Sequence, residues 1–213
     1  MEANGLMDGS MTLLICTGLL FGAQHVLTGP DHLAAVAPLS LRGRAAWKVG
    51  LFWGLGHGVA MWSLAAVVFA LGAMLPLETL GPWSERLVGL SVIGLGLWAW
   101  FRPTPGRPTM STHAHGDGHT HAPVDLRAAL LIGLLHGFAG GTHMIGVLPG
   151  LPLESAAARI AYLVSFGLGS IATMAAFSAL AGRWLGTPSR REFARRASAI
   201  VAIAVGVVWL VTA

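Results

Sequence analysis

Five histidines and one aspartate stand in stretches of this chain that hold no other charged residue: His25, Asp31, His32, His57, His136 and His143. Imidazoles with one carboxylate and no thiolate suit nickel, cobalt, zinc or iron(II), and disfavour copper(I), which wants sulfur. An ionised carboxylate deep in hydrocarbon costs several kcal/mol unless it is paired or coordinated, so Asp31 marks a functional site by its position alone. For any single histidine a neutral imidazole bonded to a neighbouring helix is the plainer role; the cluster shifts that balance. His25 and His32 are seven residues apart, which on a regular helix separates them by roughly 10 Å. They cannot share a small ion unless the helix unwinds between them, and Thr28-Gly29-Pro30 supplies the breakers. Cys16 reads more simply as a small buried hydrophobe, and Met61 and Met144 as packing.

A second group lies between two apolar stretches. His113, His115, His119 and His121, with Asp117, form a metal-collecting tract flanked by Pro103, Pro105, Pro108 and Pro123. The plainer alternative is a solvated linker of low complexity.

The elements that must position these residues are membrane spans. Of 213 residues 54% are hydrophobic and only 10% charged, with a mean hydropathy of +0.69. Soluble domains run near 25% charged, so a single soluble domain is excluded. Disorder and a disulfide scaffold are excluded too, since apolar content is high and Cys16 is the one cysteine. The net charge of +4 is read as topology rather than as nucleic-acid binding. Six stretches are expected to cross the membrane: Ser10 to Leu41, Val49 to Leu77, Leu87 to Phe101, Ala128 to Leu153, Ile160 to Gly182 and Ala197 to Ala213. The third and sixth are short of about 20 residues and must recruit their flanks. Met1 to Ser10 lacks Lys and Arg, so the first stretch is expected to be retained rather than cleaved as a signal.

Basic residues fall in alternate loops: Arg42, Arg44 and Lys48; Arg102, Arg107 and Arg127; Arg183, Arg190, Arg191, Arg195 and Arg196. The positive-inside rule makes those loops cytoplasmic, the His tract with them, and puts both termini outside. The loops carrying Glu78, Glu85 and Arg86, and Glu154 and Arg159, are balanced.

Laying Leu19–Leu39 over Leu130–Gly150 at a constant offset of 111 makes eight of 21 positions identical, among them His25/His136, Gly29/Gly140, His32/His143 and Pro38/Pro149. Gly54-Leu55-Gly56-His57 then matches Gly167-Leu168-Gly169-Ser170 at an offset of 113. Shared hydrophobicity does not explain agreement at histidine, glycine and proline. Span one starts outside and span four inside, so the expected architecture is all-α: six transmembrane helices as two inverted three-helix repeats, residues 1–101 and 127–213, joined by the His-rich loop 102–126, with helices 1 and 4 interrupted. In that plan the substrate site lies near the midplane where the halves meet. Thr142 takes the place of Asp31 in the second copy, which suggests one ion held mainly by the first half.

The chain resembles the nickel/cobalt transporter superfamily, in its branch of six-span, urease-accessory-like membrane proteins. The resemblance rests on His25-Val-Leu-Thr-Gly-Pro-Asp31-His32 in span one, Leu55-Gly56-His57-Gly58 in span two, and the glycine-rich segment around His136 and His143. The family signature is a His, four residues, then Asp-His; here five residues separate His25 from Asp31. The resemblance implies movement of Ni2+ or Co2+ across a cytoplasmic membrane, with His25, Asp31 and His32 as primary ligands. The repeat adds His136 and His143, with His57 either as a further ligand or as a residue that holds a ligand in place.

The expected function is transport of a divalent transition metal, nickel or cobalt first and zinc or iron(II) next, with no permanently bound cofactor, no enzymatic activity and no nucleic-acid partner. The bilayer, a metallochaperone and a second copy of the chain are the partners that fit. Neutral imidazole binds metal and imidazolium does not, so affinity is expected to fall as pH drops through the histidine range. No nucleotide-binding P-loop stands in the chain. The first competitor is a membrane metal donor or sensor for nickel-enzyme maturation. A haem protein with histidine pairs and an intramembrane hydrolase, for which no His-Glu-x-x-His exists, are weaker.

Overall fold

The computed structural model describes residues 2–41, 45–71, 77–101, 126–138, 148–150, 152–153, 155–184 and 188–212. Within them the chain is all-α: α1 (Glu2–Thr28), α2 (Pro30–Ser40), α3 (Ala46–Leu71), α4 (Leu77–Phe101), α5 (Leu126–Phe138), a 3-10 turn at Leu148–Gly150, α6 (Ala156–Trp184) and α7 (Pro188–Thr212). Four helices are long and apolar enough to cross a bilayer: Gly9–Thr28 within α1, α3, α6, and Arg190–Thr212 within α7. At 13 residues, α5 reaches only about 20 Å, less than a hydrocarbon core of about 30 Å. Large apolar side chains point outward, Leu20 at 69%, Phe101 at 78% and Val211 at 80% exposure, as a surface covered by lipid requires.

Charge-free stretches mark where a chain can enter hydrocarbon, not where backbone hydrogen bonding stops, and the helix ends differ from the expected spans for that reason. Helix α4 begins at Leu77, well before Leu87, so Leu77 belongs to it and not to the second span; Glu78, Glu85 and Arg86 lie in its first half. Helix α7 begins at Pro188 rather than Ala197, and Arg195 in its second turn reaches the carbonyls of Ala99 and Trp100 at the end of α4. A cation there satisfies acceptors that have no intrahelical donor.

The first expected span is two helices. Gly29 N–H donates to His25 O at 3.0 Å and closes α1; Leu33 N–H donates back to Gly29 O at 3.4 Å and opens α2. Pro30 sits at the first position of α2, where a missing N–H costs nothing. The residue before a proline is driven out of the helical region, and Gly29 is extended, with φ −85° and ψ 98°.

Helix α1 packs on α6, α3 lies between α5 and α6, α4 packs on α7, and α2 crosses against α7. Two of these contacts are built alike. A side chain at Gly22 would strike the Phe166 carbonyl and one at Gly133 the Trp53 carbonyl; a side chain at Gly169 would strike the Leu19 carbonyl and one at Gly56 the Leu130 carbonyl. Gly22 and Leu19 map onto Gly133 and Leu130 at the offset of 111, and Trp53 and Gly56 onto Phe166 and Gly169 at the offset of 113. Glycine is required at these positions because the backbones touch. Register sets direction: Gly18 and Gly22 meet successively later residues of α6, so α1 and α6 are parallel, whereas Gly50 meets Met174 and Gly167 meets Trp62, so α3 and α6 are antiparallel. Gly56 and Gly137 make α3 and α5 parallel in the same way. Val26, Val36, Val49, Trp53, Val92 and Met174 form the core where these helices meet.

Candidate metal centre

The break at Gly29 does what a continuous helix could not. His25, in the last turn of α1, and His32, in the first turn of α2, have ring centroids 4.6 Å apart. Two helices complete the cluster. His57, midway along α3, lies 5.0 Å from His32 and 5.8 Å from His25, and His136, in the last turn of α5, lies 5.0 Å from His32. Asp31 joins them with both oxygens: Oδ1 is 3.0 Å from His32 Nδ1 and Oδ2 is 3.0 Å from His136 Nε2. A carboxylate only accepts, so both imidazole nitrogens donate to it. This ties α2 to α5 across 105 residues of chain.

Asp31, His32, His57 and His136 are all buried, and His25 is half-buried. A cavity of about 510 Å³ reaches the cluster; His25, Asp31 and His32 form its floor, with Tyr162, Phe166 and Trp209 among its walls. Two sets of ligand atoms lie mutually within 4.8 Å: those of His25, His32 and His57, and those of Asp31, His32 and His136. Nitrogen and oxygen donors at that spacing, three to a set, can hold a divalent transition ion and leave a position open for exchange.

Of the expected ligands, the structure brings together His25, Asp31, His32, His57 and His136. His143 and Thr142 lie outside the described residues, as do His113, His115, His119 and His121 and Met144. Cys16 is exposed on α1 rather than buried, since a small apolar side chain is as well accommodated on a face turned to lipid as in a core, and Met61 packs with Ala65, Tyr162 and Phe166.

Sequence reasoning passed over two aromatic residues. Trp53 is fully buried and stacks on His57, 5.2 Å between centroids and 17° between planes, while also lying 5.2 Å from His136. Phe166 lies 5.4 Å from His25. Trp53 precedes His57 by four residues, the spacing that shares a helix face, and Phe166 is its counterpart in the repeat; those two signals pointed to both.

A helical, apolar molecule with a buried His/Asp cluster beside a helix break has a donor set able to hold a divalent metal ion, and the chain is similar to several known proteins. It is 30% identical to Chloroplast protein FOR GROWTH AND FERTILITY 2 of Arabidopsis thaliana over 92% of this chain and 55% of the relative, and 34% identical to FOR GROWTH AND FERTILITY 1 of the same plant over 78% and 48%. It spans about half the length of these two relatives. It is 28% identical to Urease accessory protein UreH of a Bacillus species, over 83% of this chain and 79% of the relative. A shorter match, 26% identical over 53% of this chain and 41% of the relative, is to Nickel/cobalt efflux system RcnA of Salmonella arizonae. The last two support the resemblance to nickel/cobalt transporters, and neither is named as an enzyme. No protein-family model and no solved structure matches the chain.

Proposed function

We propose that this protein is a six-span member of the nickel/cobalt transporter superfamily that moves a divalent transition-metal ion, nickel or cobalt first, across a cytoplasmic membrane. The observation that carries the reading is Asp31 held between His32 and His136, with His25 and His57 around them, at a helix break reached by a cavity. Side chains from α1, α2, α3 and α5 converge there, so the ligands come from both copies of the repeat. The matched glycine contacts and the antiparallel course of α1 relative to α5, which follows from the three helix directions above, support the inverted-repeat plan.

In this plan the cavity opens outward, because Tyr162 lies near the start of α6 and Trp209 near the end of α7, the side with balanced loops. The His-rich loop is cytoplasmic and exchanges ions with a metallochaperone. The ion is the cargo. His25, Asp31, His32, His57 and His136, with His143 from the second copy, strip part of its hydration, and the apolar core beneath closes the inner side until the halves rearrange.

The test is the cellular content of nickel, cobalt, zinc and manganese in a host carrying the wild type, the His25→Ala/His32→Ala double variant, or no protein. The expected result is a change in nickel or cobalt with the wild type alone, a rise meaning import and a fall export. Equal contents in all three strains, with expression verified, overturn the reading.

The similarity to a urease accessory protein over most of this chain favours one alternative, a membrane metal donor for enzyme maturation. Deleting His113 to His121 separates the two, since a donor loses its function outright and a transporter keeps most of it.

A further inference from the structure

The five clustered ligands do not form one set. Among the described residues the ligand atoms that lie mutually within 4.8 Å fall into two triads, His25–His32–His57 and Asp31–His32–His136, with His32 in both. The rings of His57 and His136, one from each triad, are 6.3 Å apart. The triads also differ in access. His25, Asp31 and His32 all line the cavity, but His25 is half-buried, whereas Asp31 is buried, as are His57 and His136, which are absent from the lining.

We propose that a single ion occupies these triads in turn, first an outer station of three imidazoles and then an inner station that contains the carboxylate, with His32 as the ligand common to both. This rests on the transport reading above and adds the order of binding to it. Three features set the direction. Both triads have members on the cavity lining, but the outer one holds His25, the ligand of the five that is only half-buried, so an ion meets it first. It is neutral when its imidazoles are in their metal-binding form, so it holds a dication by coordination alone. The inner triad adds the Asp31 charge in surroundings of low dielectric, where attraction to a dication is far stronger than in water, and so draws the ion onward. His32 serves either station because its two ring nitrogens point in different directions, Nδ1 toward Asp31. A neutral imidazole offers one lone pair at a time, so sharing His32 forbids independent filling of both stations and limits the chain to one ion at a time.

The test uses the purified full chain and Co2+, whose visible spectrum reports ligand type and geometry, with stoichiometry from equilibrium dialysis. The variants are His25→Gln for the outer station, His136→Gln for the inner one, and the two combined, with Asp31→Asn as a second inner variant in case His136→Gln does not fold. The expected result is one Co2+ per chain in the wild type and in each single variant, different spectra for outer and inner variants, and loss of stoichiometric binding in the double variant. Cells carrying either single variant should lose the metal change that the wild type produces, because passage needs both stations. The proposal is overturned if one single substitution removes binding completely, which means an undivided site, or if outer and inner variants share one spectrum. Failure of the wild type to bind Co2+ overturns both this proposal and the transport reading. Two-station binding without any change in cellular metal overturns transport alone.

Discussion

The α1–α6 pair and the α3–α5 pair meet through matching glycine contacts, yet the side chains they turn toward the metal cluster differ position by position. In α1–α6, Phe166 lies against His25, and the Ser170 hydroxyl donates to the Gly22 and Phe166 carbonyls, 3.1 Å and 3.0 Å away. In α3–α5, Trp53 lies against His136, and His57 stands where the repeat places Ser170. The first pair borders the cavity, while the second is closed, with Trp53, His57 and His136 all fully buried. On the proposed repeat plan, duplication accounts for the matching glycine contacts. Within the proposed transport reading, the differences at a few positions make one pair an entrance and the other a wall, as a site with one ion and two different sides needs.

Three sets of substitutions can break or sharpen this contrast. The largest effect is expected from Trp53→Ala, about 3 kcal/mol of stability, because in lipid the cavity left behind dominates the cost of a large-to-small change. Phe166→Ala should cost less, since Phe166 borders the cavity and the space left by its ring can merge with it. Melting of the purified chain in detergent gives both values, and equal losses would mean that the two aromatics are structurally equivalent after all. Next come Gly22→Ala and Gly133→Ala, each expected to cost about 1–3 kcal/mol through overpacking. Here the two pairs should behave alike, and a large difference would argue against equivalent contacts. The smallest effect is Ser170→Ala, about 0.5–1.5 kcal/mol for a lost hydrogen bond, with metal movement kept. His57→Ala, at the matching position, should abolish that movement in the cellular metal assay.

The part of this contrast that was legible in the sequence was its chemistry. Asp31 and the histidines stood out because ionisable residues are rare in apolar stretches, and the helix break was readable because Pro30 removes a donor and restricts Gly29. The repeat was readable for the same reason, since glycine, histidine and proline are conspicuous against a background of leucine and valine. What escaped was supplied by tertiary structure. Trp53 looks like any other aromatic residue in an apolar helix until His57 and His136 are seen against its ring. The ends of α4 and α7 were misplaced because charged residues such as Glu85 and Arg190 are compatible with helix beyond the hydrocarbon. The bond from Asp31 to His136 links residues whose sequence separation holds no local signal.

On the transport reading, the two hydrogen bonds of Asp31 bear on how the protein lets go of its ion. An ion that takes the carboxylate oxygens must first break the bonds to His32 and His136, so part of the coordination energy is spent on undoing contacts the protein makes with itself. The same contacts re-form as the ion departs. On the transport reading, the site therefore behaves less like a trap than like a clasp that closes on itself, keeping α2 and α5 in register when no ion is bound.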